Sequence, residues 1–336
     1  YQSFRYAERL FKLPANRLGE ENQVDIMPGD YLFMLDSSWH LIDQFSRVFN
    51  QIHQNGGRIF TMVHDLIPIR IPETCDEPLI EAFVHWLNIA MQHSDAFICD
   101  SKSTANDLIR YIEENHVNHH IYDIAYTHLG ADFTQVKKDA VISEPIKSII
   151  LDNEAPMFLM VGTIEPRKNH TFALDAFEEL WRNGKDYRLC IVGRIGWKVK
   201  EVVERINSHP ELGKRLFFFE GVTDAELNFC YEHSIALISC SLAEGFGLPI
   251  VEAAYHKIPA IVSDIPVFHE VGGEGSLFFS LDSPAELANA VRSMVLLSPD
   301  ERLSMAQKIK ILSWKESARV VMNILQNKDV YRTISS

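Results

Sequence analysis

Two carboxylates, Glu244 and Glu252, bracket the segment Glu244-Gly245-Phe246-Gly247-Leu248-Pro249-Ile250-Val251-Glu252, in which a glycine-bearing loop runs directly into a helix start. Pro249 suits the first turn of a helix, and the N–H groups just before it lack intrahelical partners. Gly245, Phe246, Gly247 and Leu248 therefore offer main-chain donors to an anionic or hydroxylated ligand, which the two glycines allow to approach closely. Glu252, about one turn further on, is placed to accept hydrogen bonds from a vicinal diol such as ribose, and Glu244 to face another part of the same ligand. The bland alternative for this pair is helix capping and surface charge.

A second cluster, Val161-Gly162-Thr163-Ile164-Glu165-Pro166-Arg167-Lys168-Asn169-His170, follows the apolar run 157–160, which reads as a buried strand ending in a glycine turn. Ligands of open α/β sheets gather at such strand ends. Arg167 and Lys168 are thus positioned to hold a diphosphate, unless they are only a solvated basic pair ahead of a helix over 171–181. Arg194 and Lys198 flank Gly196-Trp197 beyond another strand end; either could reach phosphate, and Trp197 could simply cover the core edge. His64 closes the strand-like run 58–63, with Asp65 read as a cap of the following turn rather than as the histidine's partner. In Asp100-Ser101-Lys102-Ser103 a serine is the expected N-cap of a helix, and Thr223 is expected to cap the helix after Glu220-Gly221-Val222.

The elements that must position these groups alternate. Runs at 157–161, 188–192, 216–219, 235–239, 260–262 and 276–279 are separated by helical patterns, which predicts a parallel sheet with helices on both faces. Asp282-Ser283-Pro284-Ala285-Glu286 carries a helix-start signature, with Ser283 at the N-cap. The first half repeats the pattern less completely, with strands expected at 31–35, 58–63 and 96–99. The junction falls near 138–154, where Lys, Asp, Ser, Glu, Pro and Asn accumulate, dividing the chain into 1–145, 146–313 and a last helical stretch within 314–336.

With 336 residues the chain is long enough for two domains with separate cores. A net charge of −14 argues against a nucleic-acid backbone or a polybasic membrane contact as partner, while leaving room for a local basic pocket. No apolar stretch reaches bilayer-spanning length and Tyr1-Gln2-Ser3-Phe4-Arg5 has no signal pattern, so the expected location is the cytoplasm, at most at the periphery of the inner membrane. Five dispersed cysteines suit buried thiols better than disulfides or zinc. His116, His119 and His120 lack a carboxylate or cysteine framework, and no metal is expected there.

The order Gly162-Thr163-Ile164-Glu165-Pro166-Arg167-Lys168-Asn169, then Val192-Gly193-Arg194-Ile195-Gly196-Trp197-Lys198, then Glu220-Gly221-Val222, then Glu244-Gly245-Phe246-Gly247-Leu248-Pro249 through Glu252 resembles the retaining glycosyltransferases of family 4. The likeness covers roughly residues 150–325 and continues more weakly back to Gly29. Its Glu-Pro-Arg-Lys-Asn and Gly-Trp-Lys variants resemble bacterial mannosyltransferases that use GDP-mannose to build O-antigen and related polysaccharides. The resemblance implies a GT-B fold, with two Rossmann-like doubly wound domains facing a cleft, and a last helix that crosses back to the first domain. Its first domain would be incomplete here, because the opening strand, glycine-rich turn and helix of the family have no counterpart in the sequence, and the start at Tyr1 without methionine fits a chain that begins inside a domain of a longer polypeptide.

The resemblance further implies catalytic roles for His64, Lys168 and Glu244, with the histidine touching the donor sugar. Donor contacts would come from Gly162, Thr163, Arg167, Lys168, Arg194, Val222, Gly245, Phe246, Gly247, Leu248 and Glu252. No cofactor is implied beyond the nucleotide sugar, and the sequence has no Asp-x-Asp pair to hold a metal under a diphosphate. The other expected partner is a saccharide or lipid-linked saccharide acceptor. Thr163 departs from the family, where a basic residue often follows the first glycine, and this puts the second phosphate ligand in doubt. Two other readings remain: a glycosidase using Glu244 and Glu252 as acid and nucleophile, and an inactive nucleotide-sugar-binding or scaffolding module of a larger assembly protein.

Overall fold

The computed structural model describes residues 26–35, 39, 42–115, 121–131, 141–151, 155–326 and 329–335. His116, His119 and His120 lie outside this range. Two sheets organise the chain.

The second sheet is wholly parallel and follows the sequence closely: β5 (Met157–Val161), β6 (Arg188–Val192), β7 (Leu216–Phe219), β8 (Ala236–Ser239), β9 (Ala260–Ser263) and β10 (Ser276–Phe279). Consecutive residues of a strand face opposite ways, and both faces are apolar. Phe158, Met160, Leu189 and Ile191 point to one core, closed by the helices His170–Arg182 and Pro284–Leu296. Met157, Leu159, Cys190 and Val192 point to the other, beside the helices Glu144–Leu151, Leu248–Tyr255 and Pro266–Gly272. Burying a side chain such as Leu159 completely contributes about 2 kcal/mol, which is why the continuous apolar runs settle as interior strands. Two helix starts follow expectation: Thr223 closes a capping box with Glu226, and Ser283 accepts from the Ala285 N–H; Ser313 closes a further capping box with Glu316.

Strand order in this sheet is β10-β9-β8-β5-β6-β7. The chain winds outward from β5 through β6 to β7, then returns to the other side of β5 with β8 and winds out through β9 to β10. The reversal opens a crevice at the carboxyl ends of β5 and β8. From those two strand ends come the loops carrying Gly162–Lys168 and Glu244–Leu248.

The first sheet has the order β1 (Tyr31–Met34), β2 (Arg58–Val63), β3 (Ala96–Cys99), β4 (Ile121–Tyr126), β11 (Arg332–Ser335), parallel except for the antiparallel last pair. Its described strands run in chain order, so a single winding direction is present, and one face is packed by the helices Ser46–Gln54, Glu77–His93 and Lys102–Asn115. The opposite face, carrying Phe60, Ala96, Ile98 and Ala125, is covered by Ile324, Val320, Val321 and Leu325 of the helix Trp314–Leu325, which returns from the far end of the chain.

Candidate active site

Lys168 and Arg167 converge on one carboxylate. Lys168 Nζ lies 2.6 Å from Glu244 Oε1, and an Arg167 guanidinium nitrogen lies 2.6 Å from Glu244 Oε2. Ser241 Oγ donates to Glu244 Oε1 at 2.7 Å, so both carboxylate oxygens are occupied. Arg167 is further held by the buried Glu165 at 2.6 Å and by the Ala243 carbonyl at 3.2 Å. The cluster spans the switch point, since Leu242 N–H donates to the Arg167 carbonyl at 2.8 Å and ties the two loops backbone to backbone. The Lys168 side chain lies across Gly162. Burial pushes the Glu244 carboxyl upward, but Lys168, Arg167 and the hydrogen bonds from Lys168 and Ser241 outweigh it and leave the pKa at about 2.

Eight residues on, Glu252 has a different setting. Its Oε2 accepts from the Tyr231 hydroxyl at 2.6 Å. Burial raises its pKa, opposed by that hydrogen bond and by the charge of Lys168. Gly247, in the left-handed region at φ 97°, forms the N-cap of Leu248–Tyr255 and turns the loop that carries Glu244 into the helix that carries Glu252.

The first lobe closes over this corner. A Cβ on Gly245 would lie 2.0 Å from the His64 carbonyl oxygen, so only glycine fits between them. The Gly245 carbonyl accepts from Ser101 Oγ at 2.6 Å and from Thr104 Oγ1 at 3.1 Å. His64 Nδ1 meets the nearly buried Asp100 at 2.9 Å, while Asp65 accepts from the Ile67 N–H and acts electrostatically on Arg167. Asp65 is therefore the cap and Asp100 the histidine's carboxylate partner. Glu270 reaches from the second lobe to the Lys102 and Ser103 N–H groups at 2.7 and 2.9 Å, and also to His128 at 2.7 Å. Trp197 Nε1 donates to the Thr74 carbonyl at 2.9 Å, and Lys198 Nζ bonds the Cys75 carbonyl, so these two residues bridge the lobes.

Of the remaining residues, Arg194 and Thr163 are exposed on adjoining loops, linked where Ile164 N–H donates to the Arg194 carbonyl at 2.8 Å. Arg194 makes no ion pair among the described residues, unlike Arg167. Phe246 is buried with its ring 5.3 Å from His128, and Leu248 is partly exposed. Val222 is half-buried after the edge strand β7, packed against the second core and away from the charged corner. Ser241, Glu165, Asp100 and Tyr231 went unassigned in the sequence. The only signal for them was position: Ser241 and Asp100 stand just past strand ends, and Glu165 lies inside the Gly162 loop. Among the described residues no group of three or more His, Cys, Asp or Glu could hold a metal ion.

Residues 142–311 match the family model for glycosyl transferases group 1. The chain belongs to that family. Over 329 residues it is 36% identical to the serotype-specific mannosyltransferase WbdA of Escherichia coli, an alignment covering 96% of this chain and 40% of the relative. The O-antigen chain mannosyltransferase RfbU of Salmonella typhimurium is 36% identical over 145 residues, 43% of this chain and 39% of its own. The chain thus spans about 40% of the length of the curated relatives it matches. Among solved structures, Anabaena HepE in complex with UDP and glucose superposes with a TM-score of 0.66 at 14% identity, covering 88% of this chain and 77% of that one. Sucrose-phosphate synthase from Thermosynechococcus elongatus superposes at 0.63 and 17% identity, covering 89% and 73%. The shared fold is the GT-B arrangement of two parallel-sheet α/β domains.

Proposed function

We propose that this chain transfers a hexose, mannose from GDP-mannose, to a saccharide acceptor during bacterial polysaccharide synthesis, with retention at the anomeric carbon and without a metal. The observation that carries the reading is the meeting of Lys168, Arg167 and Glu244 at the strand-order reversal, beside the start of the helix that bears Glu252. The family match and the mannosyltransferase names of the relatives support the sugar. The reaction is proposed to run in the cytoplasm, where nucleotide sugars are made; separately, no helix among the described residues is long and apolar enough to cross a membrane.

Cleaving the bond from an anomeric carbon to a nucleoside diphosphate develops negative charge on the leaving phosphate and oxocarbenium character on the sugar. Lys168, Arg194 and the N–H groups at the start of Leu248–Tyr255 meet the phosphate charge. Each charge-assisted hydrogen bond contributes about 1.5 to 3 kcal/mol, so two or three supply several orders of magnitude in rate. Arg167, already shared between Glu165 and Glu244, acts chiefly by fixing the Glu244 loop. Glu244 in turn holds Lys168 in place and sets a negative charge beside the developing cation. The acceptor hydroxyl attacks the face from which the diphosphate departs, and that phosphate takes its proton. His64 contributes from the opposite lobe toward the sugar, and Glu252 holds the ribose.

A glycosidase reading loses ground because Glu244 is bonded at both oxygens by Lys168, Arg167 and Ser241, which ill suits either an acid or a nucleophile, and because it would leave Arg167 and Lys168 without a task. The test is a thermal-shift panel of GDP, UDP, ADP and dTDP followed by a transfer assay with GDP-mannose and a mannosyl acceptor. At 100 times its dissociation constant a ligand adds about 2.7 kcal/mol of stability, so the preferred nucleotide stands out. A shift with GDP together with labelled oligosaccharide supports the proposal. Tight GDP binding without transfer or donor hydrolysis, in this chain and in a longer one extended at Tyr1, would instead assign a binding module; no response to any nucleotide rejects both.

A further inference from the structure

Tyr231 lies in the helix Asp224–Glu232 with 1% of its surface exposed, its ring stacked on His256 at 5.0 Å and 2°. Packing alone would be served equally by phenylalanine. The hydroxyl has a specific task, since a buried phenol needs a partner and this one donates to Glu252 Oε2 at 2.6 Å. Among the described residues that is the only hydrogen bond the Glu252 carboxylate accepts, and Oε1 keeps its acceptor capacity. Glu244, by contrast, accepts at both oxygens from Lys168, Arg167 and Ser241. A carboxylate fixed through one oxygen by a rigid stacked ring presents the other in a set direction, which is what discrimination of a vicinal diol requires.

We propose that Tyr231 is the positioning residue for nucleotide recognition: it anchors Glu252 through Oε2 so that Oε1 reads the ribose hydroxyls, making selection for ribonucleotide donors depend on the phenol. This rests on the reading above that Glu252 holds the ribose. It adds a residue 21 positions away in sequence, on a different helix. His256 is its support, keeping the ring plane from tilting.

The experiment measures dissociation constants of GDP and 2′,3′-dideoxy-GDP by calorimetry for the unaltered protein, Tyr231→Phe and Glu252→Gln. The expected result for Tyr231→Phe is an affinity for GDP weakened about tenfold with that for the dideoxy analogue changed less than about twofold. A purely structural role for Tyr231 would weaken both nucleotides alike and overturn the inference. The ratio of the two constants within one variant is insensitive to how well that variant folds. Selective loss of GDP in Glu252→Gln but not in Tyr231→Phe would leave the ribose role of Glu252 standing and refute that of Tyr231. Equal losses in Glu252→Gln, or no GDP binding at all, would remove the underlying reading and the inference with it.

Discussion

Glu244 and Glu252 stand on one loop and the helix it enters, both largely out of water, and burial pushes the carboxyl of each upward. Their outcomes are opposite. Around Glu244 two cations and a serine hydroxyl overcome burial and bring its pKa down to about 2, whereas Glu252 has one phenol and a more distant lysine and stays above its ordinary value. A carboxylate bonded at both oxygens, by two cations and a hydroxyl, is a structural anchor for the charges around it. One with a single fixed oxygen retains capacity for a ligand. Residue type and spacing are alike in both cases, and the number of donors each finds in three dimensions separates them.

The largest test of that contrast is Glu244→Ala. Removing one member of a buried ion cluster leaves the other charges uncompensated, at about 3 to 5 kcal/mol in general, and Arg167 retains Glu165. We expect a loss near the lower end, about 3 kcal/mol by urea unfolding, together with at least about a hundredfold fall in turnover. Glu252→Ala should cost less, about 1 to 2 kcal/mol, since the buried Tyr231 hydroxyl loses its acceptor but no cation is stranded. Equal destabilisation by the two substitutions would erase the distinction.

Acid titration separates the same groups by sign. The folded-state pKa of Glu244, about 2, lies below its ordinary value of 4.5, so its contribution is complete above pH 4.5 and is lost as pH falls toward 2, at most about 3 kcal/mol. Glu252, with a raised folded-state pKa, works the other way: its ionisation costs stability near neutrality, and protonation relieves that cost as pH falls. His170, at the first turn of the helix after Lys168, is driven down from 6.5 to about 4 by burial and by the lysine. The unfolded chain takes up that proton first, so stability falls between pH 6.5 and 4, by about 2 kcal/mol at pH 5. Urea unfolding at pH 7 and pH 5 should show this loss in the unaltered protein and much less of it in His170→Gln; an identical loss in both would remove His170 from the acid response.

Kinetics divide the corner next. Lys168→Ala should lower turnover about a hundredfold with a smaller effect on GDP affinity, because its charge matters most once the phosphate is leaving. Glu252→Ala should do the reverse, raising the dissociation constant for GDP about tenfold with turnover at saturating donor less affected. Unchanged turnover in Lys168→Ala would refute its assigned role.

How much of this was legible in the sequence follows from the range of the interactions. All six strands of the second sheet were readable as apolar runs, and caps such as Ser283 and Thr223 act within three residues of themselves. β4 escaped because Asp123 interrupts Ile121–Tyr126, and its partners Arg58 and Thr333 are 65 and 210 residues away. β11 is a short, polar terminal strand that makes sense only once β4 exists to pair with it. At the site, the charged motifs were visible but their pairing was not. Glu244 meets Lys168 across 76 residues, and Asp100 meets His64 across 36. Which cation remains available was equally hidden: Arg167 and Arg194 read alike, yet only the first is bound by two carboxylates. Lys198, a candidate phosphate ligand in sequence, instead spends its ammonium on first-lobe carbonyls.

The smallest effect sharpens the comparison most, because it removes one neutral donor from the Glu244 side. Ser241 Oγ donates to Glu244 Oε1 at 2.7 Å, a geometry close to that of the Tyr231 bond to Glu252. If hydroxyl donors were equivalent wherever they touch a carboxylate, Ser241→Ala and Tyr231→Phe would have similar consequences. The donor count says otherwise: without Ser241 the carboxylate still holds Lys168 and Arg167 at 2.6 Å each, so its orientation and charge persist. We expect Ser241→Ala to cost about 1 kcal/mol of stability and to leave both turnover and GDP affinity within about threefold of the unaltered protein. A tenfold fall in either would mean that Glu244 is held no more firmly than Glu252, and the division into anchor and ligand-binding carboxylate would fail.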